Sequence, residues 1–409
     1  MPPFPLDLMS LLGKPGAYLV YGLIGFAFGY VLEISGFAIS NKLAAQFYFK
    51  EMTVLKVMFT AIVVAMVLIF AATGLGLLDY NLIWVNPTYL VPGIVGGLIM
   101  GVGFIIGGFC PGTSLVALST LKLDGLFFAL GGMFGIFLFG ETVGYYDAFW
   151  HSTYMGRYTL PEMFNTSYGV VIVGVILMAL FMFWGGEQLE RIFGKKDLKK
   201  EPRVRYAGAL ALLMGALIVA FIGQPTTAAR WAKIAPLKEA ALTERKVQIQ
   251  PPELVSLVHD HHLKIILLDI RSEADYNLFH IAGARRLDPD QLTVLAAELR
   301  LEPPNTVIVV MSNDEAAATN AWKVLVAESV QNVYILEGGI NNWLAIYAKD
   351  DPSLKPNPVA KNDELRYIFP AALGARYDFA DPDPEEFDIE FTPKVQLQHK
   401  RGPTSGGCG

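Results

Sequence analysis

The chain reads as a multi-pass α-helical membrane protein of about six spans, built on an internal repeat with broken helices, then a soluble α/β domain and a flexible C-terminal tail. Three observations predict this. Mean hydropathy is +0.41, with 53% hydrophobic and only 17% charged residues, whereas about a quarter of residues are charged in soluble domains. The long apolar stretches all precede residue 225, and beyond it HLKIILLDI (262–270) and NTVIVVM (305–311) are buried-strand runs between helical patterns. From about 350 the chain is Pro-rich (DPSLKPNPV) and then acidic (DPDPEEFDIEF), a composition that buries too little apolar surface to offset its ordering entropy. The domains fall at 1–186 (membrane), 187–225 (basic loop and a further span), 226–349 (α/β) and 350–409 (tail).

A hydrocarbon core of ~30 Å needs about 20 helical residues. Stretches of that length lie at roughly 16–37, 55–77, 89–109, 125–146, 167–185 and 206–223. Loop charges orient them. The segment GEQLERIFGKKDLKKEPRVRY (186–206) carries Arg191, Lys195, Lys196, Lys199, Lys200, Arg203 and Arg205, so it faces the cytoplasm. Counting back places 40–56 (Lys42, Lys50, Lys56) and Lys122 inside and the aromatic-rich 147–165 outside. The basic segment before the last span makes that span resemble an uncleaved signal anchor, which exports the domain beyond residue 225. The expected location is a bacterial inner membrane, with the α/β domain and C-terminus extracytoplasmic. A net charge of −6 argues against nucleic acid, and no cofactor or metal site is expected.

The repeat relates GFAFGYVLEISGFAISNKL (25–43) to GLIMGVGFIIGGFCPGTSL (97–115) at a constant offset, aligning Gly25 with Gly97, Gly29 with Gly101, Gly36 with Gly108, Phe37 with Phe109 and Ala38 with Cys110. Lys50 aligns with Lys122. Glycines four apart let helices pack closely in lipid, which is the plain account of Gly25, Gly29, Gly97 and Gly101. The stretch Gly108, Phe109, Cys110, Pro111, Gly112, Thr113, Ser114 says more. Its glycines and proline break the helix, and broken backbone at membrane depth is tolerated only inside protein or a water-filled cavity. Paired interruptions point to a transport site. Thr113 and Ser114 would open a short helix whose N–H groups suit an anion. A membrane cysteine is ordinarily a small apolar packer, but Cys110 stands at the break. Glu33 and Glu141 lie near span interiors; snorkelling or helix pairing accounts for them.

The stretch GVGFIIGGFCPGTSL resembles the cysteine motif of the YeeE/YedE sulfur-transport family over roughly 20–150. That resemblance implies an inner-membrane permease for thiosulfate or a related sulfur anion, with broken helices around a constriction. It also implies a cysteine thiol, here Cys110, that passes the anion along by weak S–H contacts. Ala38 stands where the first repeat would carry its own cysteine, and the chain is short for the family architecture. A homodimer pairing two copies of Cys110 around one pathway makes up both deficits.

The soluble domain resembles rhodanese over about 247–347. LLDIRSEADYNLFHIAGARRL matches that family at Asp269, Arg271, His280, Gly283 and Ala284, and VYILEGGINNW at Gly338, Gly339 and Trp343. The resemblance implies a thiolate that accepts sulfane sulfur in a loop with an arginine. Here the alignment puts Met311 at the nucleophile and Ala316 near the arginine, so the domain is expected to be silent as a sulfurtransferase, with Asp269, Arg271 and His280 structural. It would bind a sulfur anion or dock a partner.

The closing GGCG resembles the carrier subunit of the periplasmic sulfur-oxidation (Sox) complex. This makes Cys408 an unhindered sulfur-carrier thiol on a flexible arm, serving an extracytoplasmic sulfur-transfer protein; the plain account is a fortuitous terminus. The expected function is thus a transporter, not an enzyme. The alternatives are a membrane-anchored sulfur-carrier or docking protein, in which only Cys408 does chemistry, and a selenium-compound permease on the same scaffold.

Overall fold

The computed structural model describes residues 4–197, 203–387 and 389–397. The chain divides into two compact units between Gln224 and Pro225.

Among the described residues of the first unit, six helices are long and apolar enough to cross a membrane. They are α1 (Leu8–Ile34), α3 (Thr53–Gly74), α4 (Leu90–Gly107), α6 (Leu123–Thr142), α9 (Tyr168–Ile192) and α10 (Val204–Ile222). Shorter helices intervene: α2 (Ser40–Ala44), α5 (Pro111–Ser119), α7 (Asp147–Trp150) and α8 (Leu160–Met163). Helix α1 begins well before the expected residue 16, because the Asp7 carboxylate caps it through the Met9 and Ser10 N–H groups. Gly13, at φ +65° beside Pro15, then kinks it.

The repeat is a structural one. In each half a long helix ends at a glycine in the left-handed region, Gly36 at φ +78° or Gly108 at φ +70°. A short helix comes next, α2 or α5, and then a second span, α3 or α6. Only glycine adopts such a φ cheaply.

Helices α3, α9 and α10 pack around Val63, Ile172, Ile176, Ala179, Ala216 and Val219. Their close approach uses glycines outside the repeat. A Cβ on Gly169 would stand 2.9 Å from the Ala220 Cα, and one on Gly74 3.0 Å from the Gly223 carbonyl oxygen. Gly25, Gly29, Gly97 and Gly101 face open space, with no neighbour within 4 Å among the described residues. The expected role of these four in helix packing is therefore not exercised within one chain. The start of α3 and the end of α9 are joined by Glu190, which is buried. It accepts from the Met52 N–H at 2.6 Å and pairs with Lys56 at 2.7 Å.

The second unit opens with α11 (Thr227–Thr243), which lies on α15 (Ala316–Ala327) through Trp231 against Trp322 and Arg230 against Glu328. Beyond it comes a parallel sheet of strands β1 (Gln248–Ile249), β2 (Lys264–Asp269), β3 (Arg285–Arg286), β4 (Thr306–Met311) and β5 (Val333–Leu336) in the order β1-β5-β4-β2-β3. Parallel pairing demands crossovers, supplied by α12 (Pro251–Val258), α13 (Glu273–Leu278), α14 (Leu292–Leu299) and α15, with α16 (Gly339–Tyr347) after β5. Alternation along β4 sorts its side chains into two layers. Val307, Val309 and Met311 join one apolar core, and Ile308 and Val310 the other.

The tail departs from expectation. The described residues of 350–397 fold back onto the α/β domain, with a hairpin of β6 (Lys355–Pro356) and β7 (Tyr367–Ile368). The polar composition conceals a set of spaced apolar anchors: Leu365, Phe369, Phe379 and Ala380 are buried in the domain core. The Trp343 indole donates to the Phe379 carbonyl at 2.8 Å. Farther along, the Lys394 and Val395 N–H groups donate to the Glu253 carboxylate. The flexible segment expected from 350 is thus anchored as far as Gln396, whose N–H donates to the Tyr334 hydroxyl. Cys408 lies outside the described residues.

Candidate functional site

The two helix breaks meet. Phe37 and Ala38 from the first and Phe109 from the second share one buried cluster with Leu43, Val54 and Ala117. The contact is close: a Cβ on Gly108 would lie 3.1 Å from the Ser40 Cβ and 3.2 Å from the Ser40 carbonyl oxygen. Ser40 also donates its hydroxyl to Asp124 at 2.8 Å.

Cys110 is half-buried at the N-cap of α5, in extended conformation (φ −95°, ψ 167°), with Pro111 opening the helix where a missing N–H costs nothing. Its sulfur accepts from the Thr113 N–H at 3.4 Å, and the Thr113 hydroxyl lies 3.3 Å away. In return the Cys110 N–H donates to the Thr113 hydroxyl oxygen at 2.9 Å. This reciprocal box alters the expected part of Thr113 and Ser114. Their N–H groups are engaged by Cys110 itself, by its sulfur and, at 3.0 Å, by its carbonyl oxygen, so they are not open to an anion. Gly112 lies within the same first turn, and Ser114 is secured by donating its hydroxyl to the Pro111 carbonyl at 2.7 Å.

Three polar side chains absent from the expected site border it. The Lys42 ammonium donates to the Ser35 carbonyl at 2.9 Å, and the Lys122 ammonium to the Ala38 carbonyl at 3.0 Å. Both stand at the first break, whose carbonyls the turn leaves without helical donors. Glu33 contributes a buried Oε2 that has no hydrogen-bond partner among the described residues. The sequence held one signal for Lys122, its alignment with Lys50 beyond the break.

In the α/β domain, Asp269 and Arg271 are buried and paired at 2.6 Å. The guanidinium also donates to the Phe279 carbonyl at 2.6 Å, tying the end of β2 to the turn after α13. His280 bonds the Tyr276 carbonyl at 2.8 Å and stacks on the Tyr276 ring at 3.8 Å. Burial first, then the Asp269 charge, push the Tyr276 hydroxyl above the ordinary phenol value, and it stays a donor to the Ala284 carbonyl at 2.7 Å. Met311 is the last residue of β4 and is wholly buried in the apolar core. The side chain that opens the following loop is Ser312, whose hydroxyl accepts from the Ala318 N–H at 3.2 Å. Ala316 begins α15.

Comparison with known proteins matches the two parts of the chain to different families. A family model described as sulphur transport matches residues 35–243, and one described as a rhodanese-like domain matches 250–346. The Thiosulfate transporter TsuA of Spirochaeta thermophila is 24% identical over 216 residues, covering 47% of this chain and 60% of that protein's length. The Thiosulfate sulfurtransferase GlpE of Pseudomonas fluorescens is 26% identical over 106 residues, covering 26% of this chain and 93% of the relative; that of Pseudomonas paraeruginosa is 26% identical over 99 residues, covering 24% and 86%. No solved structure matches. With the sulphur-transport model covering just over half of its 409 residues, the chain belongs to the sulphur transport family and carries a rhodanese-like domain after it.

Proposed function

We propose that the chain is a permease for thiosulfate or a related sulfur anion, and that Cys110 is the residue the anion passes at the constriction. The observation that carries this reading is the half-exposed sulfur held at a helix break packed against its repeat counterpart. The relatives of both halves, a named thiosulfate transporter and named thiosulfate sulfurtransferases, point to the same anion.

The chemistry suits passage better than capture. The Thr113 N–H engages the sulfur as an acceptor, which leaves its S–H hydrogen for the substrate. An S–H group is a weak donor, and a conducting site must bind firmly enough to admit an ion and weakly enough to release it. Lys42 and Lys122 supply positive charge at the partner break.

The chain spans 60% of the length of the thiosulfate transporter it matches. A second copy of the chain would complete the pathway, seated on the open glycine faces of α1 and α4. The rhodanese-like domain then acts by docking, since neither of the two cysteines lies within 250–346 and no thiolate is at hand there to accept sulfur. It faces the extracytoplasmic side, where Cys408 serves as a carrier thiol for a sulfur-transfer protein. Uptake of radiolabelled thiosulfate by cells carrying Cys110→Ala or Cys408→Ala tests the assignment. Uptake lost with the first change and kept with the second supports it; the opposite pattern favours a carrier protein merely anchored by its spans.

A further inference from the structure

The loop from Ser312 to Ala317 already holds an anion, one that belongs to the chain. Asp363 sits between β6 and β7, and its two carboxylate oxygens accept from the Asp314 and Ala317 N–H groups at 2.6 Å each. Ala317 lies in the first turn of α15 and Asp314 just before its N-cap, so the partial positive charge of a 12-residue helix acts on the same carboxylate. Asp363 is held there from several sides. Its N–H donates to the Asp314 carboxylate at 3.1 Å, its carbonyl accepts from the Asn313 amide at 3.0 Å, and Arg366 clamps Asp314 at 3.0 Å.

Two features mark this as more than a cap. Asp363 adopts φ +60°, a conformation that costs a non-glycine residue. Beside the contact lies a cavity of about 540 Å³, lined by Asp314, Glu315, Asn341 and Asn342 from the domain and by Asp363 and Arg366 from the hairpin.

We propose that the 357–366 hairpin is an autoinhibitory strap, and that Asp363 occupies the N–H donors of the 312–317 loop in place of an external sulfur oxyanion. With the strap seated the domain takes no such anion; with it displaced, two oxygens of the anion replace the two carboxylate oxygens. The step is an exchange of hydrogen-bond acceptors, with no bond made or broken.

Hydrogen–deuterium exchange on the full-length protein in detergent, with sodium thiosulfate as the probe, tests this at the loop itself and apart from any binding in the membrane unit. In the unaltered chain, thiosulfate leaves exchange of the 312–318 peptide unchanged. In Asp363→Ala that peptide exchanges about tenfold faster, the loss of charge-assisted hydrogen bonds, and thiosulfate restores its protection. Asp363→Asn, which keeps the side-chain shape, moves in the same direction and guards against simple misfolding. Protection of the unaltered chain by thiosulfate would show the loop already open and overturn the proposal. So would faster exchange in both variants that thiosulfate fails to reverse while β2 and β4 stay protected, since Asp363 would then be a helix cap and nothing more.

Discussion

Lys122, at the start of α6, donates its ammonium to the carbonyl of Ala38, the residue that stands in the first repeat where Cys110 stands in the second. The bond is 3.0 Å long and joins two repeat halves 84 residues apart in sequence. It fixes one break relative to the other and brings a cation to the same place. Lys122→Met keeps the stem and removes the charge, so it should lower the melting temperature in detergent, by the equivalent of about 1.5–3 kcal/mol for a charge-assisted bond. It should also reduce thiosulfate uptake more than the melting shift explains. An unchanged melting temperature would show that the bond does not hold the breaks together.

The conformation of Gly108 gives a sharper structural test. Its φ of +70° is strained for any other residue, and the nearby Ser40 carbonyl would have to give by a few tenths of an ångström to admit a Cβ. Gly108→Ala should cost roughly 1–2 kcal/mol from the left-handed conformation alone, and more from the clash, read as a lower melting temperature. Gly101→Ala, in open space within one chain, serves as the comparison and should leave monomer stability nearly unchanged.

That open space carries the dimer prediction. If α1 and α4 pair with a second copy, the double change Gly97→Leu and Gly101→Leu blocks close approach. Native mass spectrometry should then show a shift from dimer to monomer. A monomeric unaltered chain would contradict the arrangement, and an unaffected dimer would place its interface elsewhere.

The strap has a predictable response to acid. Burial acts to raise the Asp314 carboxyl, but hydrogen bonds from the Asn341 side chain and the Asp363 backbone, with the Arg366 charge, outweigh it and hold it below its ordinary value of 3.8. A carboxylate lowered by folding contributes stability above its unfolded value and loses it as pH falls through the folded one. The strap should therefore stay seated at neutral pH and loosen only below about pH 4. Exchange of the 312–318 peptide, measured across that range and corrected for intrinsic rates, checks this. Loosening between pH 5 and 7 would contradict it.

Much of the architecture could be read from residue order. Apolar length located the spans, and the offset repeat located both breaks, because left-handed glycines and an N1 proline leave local marks. The runs 262–270 and 305–311 announced β2 and β4 by their β-branched content. What escaped was long-range. Thr113 and Ser114 looked like open donors because sequence cannot show that the Cys110 sulfur and carbonyl lie in front of them. Lys42 and Lys122 signified orientation, and only the fold reveals the carbonyls they hold. The tail looked unstructured because Leu365, Phe369 and Phe379 are too widely spaced to form a period, though each finds the core. Met311 drew attention by alignment, while alternation along β4 turns it into the core and leaves Ser312 at the loop.

Whether Cys110 lies on the path of the anion is decided by thiosulfate uptake into proteoliposomes containing purified protein, comparing the unaltered chain with Cys110→Ala and Cys110→Ser. Ala at this position should abolish uptake. Ser, a stronger donor at the same N-cap, should retain the fold but slow release, lowering both the maximal rate and the half-saturating concentration. Uptake by Cys110→Ala at the unaltered rate would show that the anion does not pass this sulfur.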